Sequence, residues 1–115
     1  MKLNLSVMRK TAPKVSALMK ILGNEHRLMI LCQLVESERS VGEMATKLKM
    51  RQAALSQQLA LLRKNGIVKN RRDAQTIYYS LARPDLAALL SFLYETYCSV
   101  ASGSADALPA SNTSN

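Results

Sequence analysis

The chain has 115 residues, 48% of them hydrophobic and 21% charged, so it has the size of one domain and is too short for an enzyme with separate cofactor and substrate domains. Lys and Arg number 16 against 8 for Asp and Glu, and the net charge of +8 indicates a polyanionic partner, either nucleic acid or an anionic membrane surface. The longest mainly apolar run, 86–94, is too short for a spanning helix of roughly 20 residues, and the N-terminus has no signal-type pattern. We expect a cytoplasmic protein with one small core. Because a domain of this size leaves much of its apolar surface exposed, we also expect it to dimerise.

The first part of the chain predicts three helices. Apolar residues spaced i, i+3, i+4 and i+7 from Val15 to Leu22 predict an amphipathic helix that Gly23 and Asn24 end. From Glu25 to about Ser37 apolar residues lie on almost every side, which predicts a central helix buried on most of its surface. Ser40 stands three residues before Glu43, the capping-box spacing, and predicts the start of a short third helix.

A fourth helix and a β-hairpin follow. The helix is predicted from about Gln52 to Lys64, with leucines at helical spacing and Asn65 and Gly66 as its stop. Two β-prone runs, 67–72 and 75–81, are separated by Asp73 and Ala74 and predict a small hairpin.

The last helix and a polar tail complete the chain. After Pro84, apolar residues return to helical spacing from Leu86 to Tyr97, and this fifth helix is expected to end near Cys98. From Ser99 onward the residues are small and polar, which predicts disorder. The expected organisation is an N-terminal extension over 1–13, one domain over 14–98 and a disordered tail over 99–115.

This order of elements predicts a mainly α winged helix-turn-helix domain with five helices and a two-stranded wing. Charge placement supports that fold, because half of the basic residues lie between Lys47 and Arg72 with no Asp or Glu among them. These positions fall on the two elements that such a domain lays on DNA. The alternative is an ordinary basic surface.

Residue types on these two elements suggest the DNA contacts. On the fourth helix, Gln52, Ser56 and Gln57 can read base edges, while Arg51 at the helix start is better suited to phosphate. The expected DNA-binding set is completed by cations at the helix end and by polar residues of the hairpin: Arg63, Lys64, Arg71, Arg72, Gln75 and Thr76. The alternative for the hairpin arginines is that they only solubilise an edge strand.

The chain resembles the arsenic-repressor (ArsR/SmtB) family of winged-helix regulators in four stretches: N-E-H-R-L-M-I-L-C-Q-L-V-E, S-V-G-E-M, A-L-S-Q-Q-L-A-L-L-R-K-N-G-I-V and R-R-D-A-Q-T-I-Y-Y-S-L. The resemblance covers roughly residues 14 to 98. It implies a homodimer joined through the first and last helices that binds an imperfect palindrome in double-stranded DNA, usually as a repressor released by an inducer. Arg51 and Gln58 depart from the family, whose members commonly have Ser and often His there.

The metal ligands of the classical members are missing from the sequence. Those members carry Cys-x-Cys in the third helix or a set of Asp, His and Glu in the last, whereas the only histidine here is His26. A lone histidine is a poor basis for a zinc site that needs about four ligands. We therefore expect no metal and no cofactor, although a metal-responsive repressor with an unrecognised ligand set is an alternative.

The two cysteines, Cys32 and Cys98, match the paired positions of a subgroup that includes the biofilm-growth-associated repressor and the haemolysin regulator. The resemblance implies that this dithiol reacts with persulfides or oxidants. Two alternatives are open: Cys32 is only a small core residue, or the protein is a DNA-binding regulator or activator without a cysteine switch. Enzymatic activity is not expected, because the four glycines are isolated and form no phosphate-binding loop.

Overall fold

The computed structural model describes residues 1–98, so the segment 99–115, predicted to be disordered, lies outside the described residues. The helices are α1 (Leu5–Leu22), α2 (Glu25–Glu36), α3 (Val41–Leu48), α4 (Gln52–Lys64), α5 (Pro84–Leu93) and a terminal π-helix (Tyr94–Cys98); the strands are β1 (Arg39–Ser40), β2 (Val68–Asp73) and β3 (Thr76–Leu81). This order confirms the predicted mainly α winged helix-turn-helix fold, with β2 and β3 as the wing.

Short polar side chains start the helices where the sequence predicts. Asn24 Oδ1 accepts from the amide of Arg27 at 3.1 Å, and Ser40 Oγ accepts from the amide of Glu43 at 3.1 Å. The Glu43 carboxylate does not return to Ser40 as in a full capping box; it accepts a hydrogen bond from Arg39 Nη1 at 3.0 Å. The second half of the box is replaced by an ion pair.

The first helix is longer than the sequence predicts. It begins at Leu5, inside the segment 1–13 that was expected to precede the domain, and Asn4 caps it by accepting from the amide of Ser6 at 2.9 Å. Pro13 lies within the helix, and the regular apolar spacing begins only at Val15. Proline in a helix interior removes a backbone hydrogen bond and usually interrupts a helix, so the sequence gives no signal for the turns that precede Pro13.

The wing differs from the prediction in two details. Its two-residue turn is Ala74 and Gln75, one residue later than predicted, and Ala74 has a φ of 58°. The very short β1 pairs with β3, so the sheet has three strands in the order β1-β3-β2. A two-residue strand shows no alternation, so no sequence pattern could reveal β1.

The core forms around α2 and α4. Ile30 and Leu31 on α2 are fully buried, and Leu55, Leu59 and Leu62 of α4 are fully buried as well. Each such side chain stabilises the fold by about 1.5 to 3 kcal/mol. The prediction of a central α2 is confirmed, except that Met29 is 51% exposed and does not enter the core.

Large apolar side chains remain exposed on the first helix and at the end of the last one. On α1 they are Leu5, Val7, Met8, Val15 and Met19, and near the C-terminal end they are Phe92, Tyr94 and Tyr97. These are the two helices through which the family resemblance implies dimerisation. In the described part of the chain no helix combines the length and apolar character needed to cross a membrane.

Candidate nucleic-acid interface and thiol pair

A tight turn places α4 after α3. Lys49 adopts the left-handed conformation with φ 56° and closes α3, and the amide of Met50 donates to the carbonyl of Ala45 at 3.0 Å. Arg51 stands at the N-cap position of α4, and within residues 1–98 no side chain caps the start of this helix. The first amides of α4 therefore have no side-chain acceptor and can bind phosphate.

One side of α4 is buried and the other is open to solvent. Its leucines enter the core, whereas the predicted contact residues Gln52, Ser56, Gln57, Arg63 and Lys64 are all exposed. Gln58 instead turns inward and is half-buried, where its side-chain oxygen accepts from Arg27. The exposed face therefore carries polar groups that can hydrogen-bond in a major groove and cations at its C-terminal end.

The wing separates its two arginines. Adjacent residues of a strand point to opposite faces of the sheet, so Arg71 and Arg72 cannot share one face. Both are exposed, as are Gln75 and Thr76 at the turn. We use the name basic face for all exposed residues of the predicted DNA-contact set, although its two wing arginines lie on opposite sides of the sheet: Arg51, Gln52, Ser56, Gln57, Arg63, Lys64, Arg71, Arg72, Gln75 and Thr76.

Arg71 is held by a residue that the sequence analysis missed. Its Nε and Nη2 donate to the two carboxylate oxygens of Glu38, each at 2.7 Å, and its guanidinium carbon lies 4.6 Å from the centre of the Tyr78 ring. These hydrogen bonds lower the pKa of the Glu38 carboxyl and raise the pKa of Arg71. Glu38 lies 33 residues before Arg71, and no sequence spacing indicates that pairing.

Most of the positive charge from Lys47 to Arg72 is not neutralised. Within residues 1–98, only two of these eight cations have a carboxylate within 4.0 Å: Lys47, which pairs with Glu43 at 3.8 Å, and Arg71. The cations without such a partner are Lys49, Arg51, Arg63, Lys64, Lys69 and Arg72. Uncompensated cations on one helix and one hairpin favour a polyanion.

The two cysteines are free and differ in exposure. Cys98 is exposed at the end of the terminal π-helix, whereas Cys32 on α2 is half-buried. Burial raises the pKa of the Cys32 thiol, and the negative charge of the Cys98 thiolate raises that pKa further. Cys32 lies on α2, which packs against α5, and α5 continues into the terminal π-helix that carries Cys98.

A cavity of about 400 Å³ opens beside Cys32, between α2 and the end of the last helix. Its wall is mainly apolar and includes Met29, Val35, Leu90 and Tyr94. Cys32 is part of this wall, so its side chain borders the open space between the two helices. In the part of the chain that the structure describes, no group of three His, Cys, Asp or Glu side chains could hold a metal ion.

Comparison with known proteins places this arrangement in a family. The model of the arsR family of bacterial regulatory proteins matches residues 24–70. The transcriptional activator HlyU of Vibrio cholerae serotype O1 is 44% identical over 96 residues, which are 84% of this chain and 89% of HlyU. The chain belongs to the arsR family. The resemblance seen in the sequence is thereby confirmed, and the protein is a DNA-binding transcriptional regulator rather than an enzyme.

A further relative and two solved structures are also similar to this chain. The biofilm growth-associated repressor of Agrobacterium fabrum is 47% identical over 82% of this chain and 80% of its own length. The structure of reduced HlyU from Vibrio cholerae superimposes with a TM-score of 0.76 at 44% identity, covering 79% of this chain and 96% of that one. The structure of Mb0332 from Mycobacterium bovis, a homodimeric winged helix-turn-helix DNA-binding domain, superimposes with a TM-score of 0.67 at 35% identity, covering 76% of this chain and 82% of that one.

Proposed function

We propose that the protein is a homodimeric, sequence-specific transcriptional repressor of the cytoplasm. It binds an imperfect palindrome through the basic face and releases it when Cys32 and Cys98 react with reactive sulfur species or oxidants. The observation that carries the dithiol part is the placement of the only two cysteines of the sequence, Cys32 beside an open cavity on α2 and Cys98 exposed at the end of the last helix. Among its relatives HlyU is an activator and the Agrobacterium fabrum protein a repressor.

The residues of the basic face have two roles on DNA, base reading and phosphate binding. Gln52, Ser56 and Gln57 read base edges because they can both donate and accept hydrogen bonds. Arg51 binds phosphate beside the uncapped start of α4. The cations of the α4 end and the wing hold the flanking backbone, with Gln75 and Thr76 assisting at the turn.

The dimer part rests on exposed apolar surface. Side chains such as Leu5, Phe92 and Tyr94 are each more than half exposed on α1 and at the end of the last helix, and contact with a second copy removes them from water. A twofold axis between two copies presents two α4 helices about one DNA turn, roughly 34 Å, apart. The homodimeric Mycobacterium bovis relative supports this assembly.

The thiol chemistry balances in two steps. The Cys98 thiolate attacks a sulfane sulfur of an inorganic polysulfide, which leaves a persulfide on Cys98 and expels a polysulfide one sulfur shorter. The Cys32 thiolate then attacks the inner sulfur of that persulfide, forms a Cys32–Cys98 disulfide and expels hydrosulfide. Two electrons pass from the thiols to the departing sulfur. A second sulfur transfer before closure leaves extra sulfur atoms in the bridge, which relaxes the Cα separation limit of about 7 Å for a direct disulfide.

The bridge affects DNA binding through the helices that it joins. Cys32 lies on the central helix, and Cys98 lies at the end of the helix proposed to form the dimer. Tying the two together changes how one copy sits against the other and therefore the spacing of the two α4 helices. Recognition of two half-sites depends on that spacing.

The test uses reduced protein, inorganic polysulfide and a duplex selected from a random-sequence pool by the reduced protein. We expect a link between Cys32 and Cys98, seen by mass spectrometry as the loss of two hydrogens for a direct disulfide or as an increase in mass for a bridge with inserted sulfur. The same treatment lowers the affinity for the selected duplex. Cys32→Ser and Cys98→Ser serve as matched controls and keep their affinity. Absence of the link, or a link that leaves affinity unchanged, contradicts the proposal. Release by zinc, copper or arsenite in the absence of polysulfide supports the metal-responsive alternative instead.

A further inference from the structure

The contact between Glu38 and Arg71 joins the wing to the turn between α2 and β1. Both carboxylate oxygens of Glu38 are occupied by Arg71, and Asp73 Oδ2 lies 4.0 Å from the remaining Nη1. The Tyr78 ring covers one side of the guanidinium. Arg71 is therefore already bound to two anionic oxygens at once, as it would be by the two non-bridging oxygens of a DNA phosphate.

Arg72 provides the contrast within the same strand. It points to the other face of the wing and, within residues 1–98, has no carboxylate within 4.0 Å. The two adjacent arginines are thus in different electrostatic states before DNA arrives. Only one of them must exchange a partner in order to bind a phosphate.

We infer that Glu38 competes with the DNA backbone for Arg71 and thereby sets the affinity of the wing for DNA. An open groove of about 350 Å³ lies beside the pair, lined by Glu38, Lys69, Asn70, Arg71 and Ser80, and gives a phosphate room to approach. Lys69 adds a second cation at the same place. The Glu38 side chain is 34% exposed and that of Arg71 54% exposed, so water and salt screen the pair and a phosphate can displace the carboxylate.

The inference rests on the proposed placement of the wing on DNA, and the two are tested separately. Arg71→Ala tests whether Arg71 lies on DNA: weaker binding to a duplex of scrambled sequence means that Arg71 contacts the backbone. Glu38→Gln tests whether the Glu38 carboxylate competes with phosphate for Arg71, because it keeps the size and polarity of the side chain while removing its charge. The probes are the selected duplex described above and its scrambled counterpart, each titrated at several salt concentrations.

We expect Glu38→Gln to bind both duplexes about threefold more tightly per wing, hence about tenfold for a homodimer that uses both wings. The gain shrinks as salt rises, because salt screens the ion pair that the variant lacks. In an Arg71→Ala background Glu38→Gln gives no gain. The matched control is Glu36→Gln, which removes the same charge from an 82% exposed side chain that pairs with Arg39; it leaves affinity unchanged.

Several outcomes overturn the competition. Unchanged or weaker binding by Glu38→Gln does so, and so does a gain that persists without Arg71 or that Glu36→Gln reproduces. Thermal unfolding of each variant confirms that the domain is folded, and Glu38→Ala repeats the measurement without the amide. If Arg71→Ala binds as tightly as the wild type, Arg71 does not contact DNA, and Glu38 then has no phosphate to compete with.

Discussion

Arg27 donates a hydrogen bond to Gln58, with 3.3 Å between Nη1 and Oε1, while its Nε donates to the backbone carbonyl of Ile21 at 2.8 Å. One half-buried guanidinium thus joins the end of α1, the start of α2 and the inward side of α4. In the proposed dimer α1 lies at the interface and α4 on DNA. Arg27 is therefore placed to fix the orientation of α4 relative to the partner.

Replacing Arg27 by lysine keeps the charge and removes the forked geometry. A lysine ammonium cannot satisfy the Ile21 carbonyl and Gln58 in the same arrangement, so we expect the free energy of unfolding to fall by about 1 kcal/mol. Urea denaturation measures this change. Arg63→Lys, on the exposed face of α4, is the matched control and leaves stability unchanged. Equal effects of the two substitutions would show that the bridge contributes nothing.

Ala74 and Gly66 both have positive φ, so removing a methyl group from one and adding a methyl group to the other should change the free energy of unfolding in opposite directions. Ala74 in the wing turn has φ 58° and Gly66 after α4 has φ 71°, a region that glycine occupies without strain. We expect Ala74→Gly to raise the free energy of unfolding, and Gly66→Ala to lower it, by about 0.5 to 1 kcal/mol each. Apart from its two chain neighbours, no atom of the described residues lies within 4 Å of a Cβ added at Gly66, so the effect comes from the backbone. Changes of the same sign in thermal unfolding contradict this account.

Base reading and phosphate binding predict different sequence dependence. Gln57→Ala weakens binding to the selected duplex by about 1 to 3 kcal/mol and leaves binding to scrambled DNA nearly unchanged, because only a base contact is lost. Arg72→Ala weakens binding to both duplexes and lowers the salt dependence, since one phosphate contact is lost. Fluorescence anisotropy at several salt concentrations separates the two patterns. A double variant that binds selectively at full strength would place the interface elsewhere.

The two thiols are expected to react in a fixed order. Burial raises the pKa of Cys32, so near neutral pH a smaller fraction of it is thiolate than of an ordinary cysteine. In Cys98→Ser, the rate of Cys32 alkylation by iodoacetamide therefore rises with pH through a midpoint above the usual range. At neutral pH the exposed Cys98 in Cys32→Ser reacts faster, because its sulfur is open to solvent. Equal rates for the two variants would remove the reason for assigning the first attack to Cys98.

Local patterns predicted the elements that depend on nearby residues. The bounds of α4 follow from leucines at helical spacing and a following Asn and Gly, and the start of α3 follows from Ser40 and Glu43. The strand β1 and the first turns of α1 were missed because two residues carry no periodicity and Pro13 interrupts the pattern.

Pairings between distant residues could not be predicted in this way. All ten proposed DNA-contact residues are exposed, and their contact with DNA stays a prediction. The Glu38 and Arg71 pair spans 33 residues. The Arg27 and Gln58 pair spans 31 residues. Both depend on how elements pack in three dimensions, which hydrophobic periodicity does not encode. The separation of Arg71 from Arg72 needed only strand alternation and was available from the hairpin pattern.

In the proposed dimer, a twofold pair of chains lays α4 and the wing along one face of a duplex. Hydroxyl-radical footprinting of the wild-type protein on its selected duplex measures this arrangement. We expect two symmetric protected segments whose centres lie about 10 base pairs apart, one for each copy. A single protected segment, or diffuse protection that follows no fixed spacing, shows that the two copies do not bind in this way.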